Sequence, residues 1–427
     1  MNNRRDSGLN RKRILRSGIP GPGTVAPRGV ATAPQNDTPG PQGNTAAPRS
    51  DATAPQNDTP GPQGNTAAPR SDATAPQRAG GTGVTRVIAV YAALLALLVF
   101  AIVLGLSVGA VMKPPAETIH DLFAGGKLIW RYRMPRVLVG ILAGAAMAVS
   151  GALLQLALRN PLAAPDTVGV TAGGGLAAVA ALLSVGALPA QALTPVAFVG
   201  ALVGAGLVLV LAGRGATDPV RLTLTGVAVS VGLGALTQLL LVKAAPEAGA
   251  AMTWLKGSLY ARTVADAQVV GPVVLVASMV AVVLSRHLDM LNLDSSAMAG
   301  VGVSERTWRT VAVLFAILLG AAAVAAAGVL GFAGLIVPHA ARLLVGGVGR
   351  RVLPVSALAG AGLVVLCDAL GRWAFAPTEI PVGALISIVG APYFIYLLLR
   401  MSRTPAGVSR RLAEVHAVPT TVERSSR

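Results

Sequence analysis

The residues of this 427-residue chain whose types and spacing offer chemistry are four arginines and an aspartate. Arg131, Arg133 and Arg136 crowd the stretch RYRMPR directly before a long apolar run, and Arg372 follows Asp368 by four residues within another. A guanidinium presents paired, planar N–H donors that match a carboxylate, so such a set suits recognition of an acidic partner. Spaced four apart on a helix, Asp368 and Arg372 share a face and can pair, which lowers the cost of a charge beside lipid. Lipid headgroups or simple snorkelling are the alternative use of the same arginines. Sets for catalysis are absent. No G-x-x-x-x-G-K-[ST] loop exists to hold ATP, and no G-x-S-x-G elbow is found. His120, His287, His339 and His416 are dispersed and form no H-E-x-x-H, so no metal site, cofactor or enzyme activity is expected, and His339 reads as structural.

The elements that must position these arginines are membrane helices. The chain is 53% hydrophobic and 12% charged, against roughly a quarter charged in soluble domains. A bilayer core about 30 Å thick needs about 20 apolar residues per helix, and one such run follows another from Arg86 to Arg400. The lone cysteine, Cys367, excludes an intrachain disulfide framework, so stability must come from helix packing. A net charge of +17 with 4% aromatic residues does not suit nucleic-acid binding, which wants basic residues interleaved with stacking partners. It is a topology signal instead.

Apolar runs and breakers predict ten segments, near 86–112, 134–158, 167–187, 191–212, 220–243, 266–285, 308–329, 331–346, 352–374 and 381–400. The eighth is short and holds Pro338, so hydropathy alone allows nine. Charge favours ten. That count puts both termini, with Arg159, Arg214, Arg221, Arg286, Arg306, Arg309, Arg350 and Arg351, on the cytoplasmic side of the cell membrane, where Lys and Arg collect. It also puts Arg131, Arg133 and Arg136 outside, against the same rule, with Trp130 and Tyr132 beside them as interfacial anchors. Small-xxx-small pairs at Gly140/Gly144, Gly169/Gly173 and Gly200/Gly204 suit close helix contact. Gln155 and Gln238 lie within apolar segments, where each either lines a pathway or bonds a neighbouring helix.

Residues 1–85 follow another pattern. ATAPQNDTPGPQGNTAAPRSD at 31–51 repeats unchanged at 52–72, and these units carry no large apolar residue. Nothing in them repays the entropy of ordering, so a disordered cytoplasmic tail is expected at 1–85, a transmembrane domain at 86–402 and a basic cytoplasmic tail at 403–427.

Four motifs in order, RYRMPR, SGALLQLALRNPLAAPDTVGV, GVLGFAGLIVPHAARLLVG and EIPVGALISIVGAPYFIYLLL, resemble the FecCD-type permeases, membrane subunits of iron-siderophore, haem and cobalamin ABC importers. The resemblance implies an all-α, polytopic protein of ten transmembrane helices, the type II importer permease fold. It further implies a second permease subunit as homo- or heterodimer, two cytoplasmic ATPase subunits, an external substrate-binding protein, and a surround of membrane lipid. Ferric siderophore is the expected cargo, with haem or cobalamin as alternatives and an ion-coupled secondary transporter as the rival class. Carried onto this sequence, the resemblance assigns binding-protein docking to Arg133, Arg136 and Arg372. It assigns a cytoplasmic gate to Asn160 and Leu162 and to the turn before the fifth helix at Pro219 and Val220, where this sequence lacks the hydroxyl-bearing residues of family examples. ATPase coupling falls on Asp294, Ser295, Ala297, Gly300 and Val303, within NLDSSAMAGVGVSERTW. There Asp294 or Ser295 is placed to cap a short helix, and Gly300 and Gly302 to end it.

Overall fold

A computed structural model of the chain describes residues 83–402, apart from 110, 185–189, 216–217, 245–247, 375 and 377. The tails expected at 1–85 and 403–427 therefore lie outside the described residues, save for 83–85. Among the described residues, fourteen α-helices run α1 Val84–Ser107, α2 Pro115–Phe123, α3 Met134–Ala157, α4 Val170–Ser184, α5 Ala190–Ala212, α6 Pro219–Lys243, α7 Ala248–Leu255, α8 Val264–Val283, α9 Ser285–Asp289, α10 Ser295–Gly300, α11 Glu305–Ala327, α12 Ala333–Val345, α13 Gly349–Ala374 and α14 Val382–Ser402. Seven of the corresponding stretches are long and apolar enough to cross a bilayer, and three shorter apolar ones lie in α4, α12 and α14. These ten match the ten expected segments one for one. The short surface helices α2 and α7 were not signalled by hydropathy.

Local chemistry sets the helix starts. Asp218 caps α6 by accepting from Val220 N at 2.9 Å and Arg221 N at 3.3 Å, with Pro219 in the first turn. Thr263 and Asp266 form a capping box at α8, Thr263 N donating to Asp266 Oδ2 at 2.8 Å. Ser304 caps α11, accepting from Thr307 N at 3.4 Å.

The centre of the bundle is α3, which packs on α11, α13, α12 and α8. Within its apolar window 78% of residues are buried, against 72% for α11 but 17% for α6 and 6% for α1. Alanine makes this possible: Ala321–Ala327 of α11 is wholly buried, because side chains this small let helices close in on every side. The paired glycines of α4 and α5 face one another. A Cβ on Gly173 would stand 2.5 Å from the Gly200 carbonyl, and one on Gly204 2.6 Å from the Gly169 carbonyl.

The short α12 is completed by chain that is not helical. Thirteen residues at 1.5 Å each span about 20 Å, and residues 328–332 supply the remainder. Gly328 and Phe332 take positive φ (73° and 63°) there. Leu330 in between is buried, the 254–258 turn joins through Ser258 N to Ala327 O at 2.9 Å, and Gly383 N donates to Gly257 O at 3.1 Å. Irregular backbone at this depth is tolerable because protein, not lipid, surrounds it.

Candidate functional site

Two of the predicted arginines, Arg133 and Arg372, converge on the end of α1, and a third, Arg136, joins them through Asp368. Arg133 closes a π-helical turn, Ile129–Arg133, ahead of α3, and donates to the carbonyls of Leu106, Ser107 (3.0 Å) and Val111. Arg372, from α13, donates to Gly105 O at 2.9 Å and to Val108 O, while its Nε bonds Asp368 Oδ2 at 3.1 Å. The last carbonyls of a helix have no partner of their own and carry the negative end of its dipole. Two guanidinium groups take that place, so α1 ends at Ser107, short of the expected 112.

Arg136 is the member turned furthest outward. Nε and Nη2 both reach the Asp368 carboxylate, at 3.0–3.1 and 2.8 Å, and Nη1 reaches Glu379 Oε2 at 2.9 Å. Its side chain is 12% exposed and that of Arg372 4%, whereas Glu379 is 35% exposed. Asp368 thus serves two arginines from beneath and Glu379 meets one from above. Arg131 lies outside this network, exposed beside Trp130 and Tyr132. A recess of about 650 Å³ opens over them, bordered by Trp130, Arg131, Tyr132, Arg136, Tyr260 and Glu379. Glu379 went unremarked in the sequence because its partner lies 243 residues away.

At the other end of α3, Asn160 Oδ1 accepts from Leu162 N at 2.9 Å, an Asx turn that fixes the Asn-Pro-Leu bend. Arg159 before it takes positive φ (48°) and anchors the bend by donating to Leu291 O at 2.9 Å and Leu293 O at 2.6 Å and pairing with Glu305 at 3.0 Å. Pro219 and Val220 are the first two residues of α6, not of a turn before it, and Val220 is exposed. What reaches α6 from the bend is the 3₁₀ turn Pro165–Val168: Ser230 Oγ donates to Asp166 O at 3.1 Å, and the Thr167 carbonyl packs on Gly226. Asp166 is exposed here and accepts from the Thr171 hydroxyl.

The expected short coupling helix is α10. Asp294 stands at its N-cap in extended conformation, but its side chain makes no capping bond, and the helix is closed by backbone alone, Met298 N to Asp294 O at 3.0 Å. Gly302 takes the positive φ (71°) that ends it, and Gly300 is its last residue. Ser295, Ala297 and Gly300 are exposed, Val303 is half-buried, and Met298 is sunk into the core beneath.

Gln155 bonds between helices, donating to Leu335 O at 3.1 Å and accepting from Arg342 of α12, whereas Gln238 is exposed on α6. Cys367 is a buried free thiol. No group of His, Cys, Asp and Glu suited to a metal ion occurs among the described residues.

The profile of the FecCD transport family matches residues 97–400. The chain belongs to the FecCD transport family. As a family member it is 37% identical over 315 residues to the Fe(3+)-citrate import system permease protein YfmE of Bacillus subtilis (strain 168), covering 71% of this chain and 95% of that one. It is 40% identical over 301 residues to the Fe(3+) dicitrate transport system permease protein FecD of Escherichia coli (strain K12), covering 70% and 94%. Among solved structures this FecCD chain matches an ABC transporter assigned to the metal-chelate type, in an inward-facing conformation, with TM-score 0.65, 28% identity, and coverage of 73% of this chain and 99% of that one. The chain is therefore a multi-pass transport protein, helical throughout its described elements, with the fold of an ABC permease, and not an enzyme.

Proposed function

We propose that the chain is the membrane-spanning permease subunit of an ATP-driven importer of ferric chelates, of the citrate and siderophore class. The observation that carries this reading is the end-to-end correspondence of its ten-helix body with ferric citrate permeases. A single chain leaves α6 with an open flank, Val220, Leu224, Val227, Val231 and Leu239 all being exposed. A second permease subunit covers that flank, and the chelate passes between the two. Two ATPase subunits sit at the cytoplasmic end, one on the α10 of each permease subunit, on the side where both termini also lie.

An external substrate-binding protein docks on the arginine face. Arg136 is its first contact, exchanging Glu379 for a carboxylate of the partner, while Arg133 and Arg372 stand behind it. Nucleotide-driven closure of the ATPases pushes α10, and the motion passes through Arg159, which ties the chain before α10 to the Asn160–Leu162 bend. That bend and the start of α6 open and shut as the inner gate, so the pathway faces each side in turn.

Uptake of radiolabelled ferric citrate, a ferric hydroxamate, haem and cobalamin in a strain lacking the chain tests the reading. Restored iron-chelate uptake that stops when ATP is depleted is the expected result. Uptake that follows an ion gradient and survives ATP depletion overturns it. For the docking face, Arg136→Lys, which keeps a positive charge against Asp368 but gives up the planar fork that a second carboxylate needs, should weaken binding-protein association severalfold with membrane insertion intact, and normal association would remove Arg136 from that role.

A further inference from the structure

A second cluster of arginines lies at the opposite end of the bundle from Arg136, where α1 begins and α13 starts. Arg286 of α9 and Arg350 and Arg351 of α13 border a cavity of about 540 Å³ with Tyr91, Val348 and Asp289. Three arginines thus border it against one carboxylate. That carboxylate is already engaged: Asp289 Oδ1 accepts from Gly349 N at 2.7 Å at the head of α13, and burial pushes its carboxyl above the ordinary range. The cavity keeps a positive surplus and adds a phenol hydroxyl, a combination that fits a phosphodiester.

We propose that this cavity binds the headgroup phosphate of an anionic phospholipid. Its position favours lipid over a soluble anion. One wall is α1, the least buried spanning helix of the bundle. Ile88 and Leu95, three and four residues either side of Tyr91 and so on its face, are 62% and 54% exposed. The opposite rim carries Leu343, Leu344 and Val348, also exposed, and Arg86 binds the two walls by donating to Leu343 O at 3.3 Å. A phosphate seated among the arginines would have its acyl chains leave along apolar surface on either side. Basic pockets between helices at the membrane boundary take anionic headgroups in this way. The acidic face of an ATPase fits less well, since no residue of α10 borders the cavity.

Native mass spectrometry of the full chain in a neutral detergent, titrated with phosphatidylglycerol or with phosphatidylcholine, tests the site. Wild type should bind one phosphatidylglycerol in clear preference to phosphatidylcholine. The triple variant Arg286→Gln, Arg350→Gln, Arg351→Gln should bind it roughly 100-fold more weakly, at about 1 kcal/mol per arginine. The pair Arg221→Gln, Arg306→Gln, at the same end but outside the cavity, should stay within about twofold of wild type, general attraction being diffuse. Should the triple variant not fold, Arg286→Gln and Tyr91→Phe, each changing one group, are read on the same titration and should each weaken binding. Equal affinity in wild type and these variants overturns the proposal, as does an equal loss in the control pair. Tighter capture of inorganic phosphate than of the lipid would assign the cavity to a free anion. Undiminished lipid binding with loss of ATPase co-purification would assign it to the ATPase.

Discussion

Arg136 and Asp368 form a two-point ion pair, with Nε and Nη2 on one carboxylate at 2.8–3.1 Å, that fastens α3 to α13 at the end where α1 terminates. Asp368 is 4% exposed and also carries Arg372. A carboxylate that serves the buried Arg372 and the partly buried Arg136 cannot be removed without leaving Arg372 with backbone carbonyls alone and Arg136 with only the exposed Glu379.

Asp368→Asn should therefore destabilise the protein by about 3–5 kcal/mol, the usual cost of breaking a buried pair from one side. Thermal unfolding of the detergent-solubilised chain reads this directly. An unchanged midpoint would mean that α3 and α13 do not depend on the pair.

The packing of α4 on α5 makes a second, purely steric prediction. Gly204→Val should separate the two helices and lower the unfolding midpoint, because its Cβ meets the Gly169 carbonyl. Gly206→Ala, two residues on with open space around its Cβ, should leave the midpoint unchanged or slightly raised. Similar losses at both positions would show that the glycines serve flexibility and not approach.

Asn160→Ala deletes the bond to Leu162 N, worth about 1 kcal/mol, and frees the bend at the inner end of α3. In proteoliposomes loaded with ferric chelate, the proposed gate then predicts leakage without ATP. Tight vesicles would place the seal elsewhere.

On α10, Ala297→Trp puts bulk on the exposed face without touching the buried Met298. Co-purified ATPase should fall about tenfold, equivalent to about 1.4 kcal/mol of binding free energy, while the chain's thermal midpoint stays put. Full recovery of ATPase would move the coupling surface off this helix.

Most of the helix plan was legible in the sequence, because an apolar run of spanning length and a small-residue repeat are local patterns. The glycine pairs at 169/173 and 200/204 did more than suit close packing: they meet one another. The site was legible by residue type and much less by pairing. Arg372 and Asp368, four apart, could be paired on paper, but nothing local tells Arg136 to choose Asp368, or tells Arg133 to choose the carbonyls at the end of α1. The same holds for Glu379 and for Arg342 with Gln155, whose partners lie 243 and 187 residues away. Asp294 erred the other way, with the right position for a cap but no bond made by its side chain.

The 232-residue separation of Arg136 from Asp368 also has a meaning in time. At about 5–20 residues per second of synthesis, α3 waits on the order of 10–50 s before the aspartate that neutralises its arginine leaves the ribosome. Through that interval the helix destined for the centre of the protein stands beside lipid with a bare cation at its tip. Nascent chains stalled before residue 368 should accordingly hold α3 shallowly and reversibly in the bilayer, and its seating should become permanent once α13 is made.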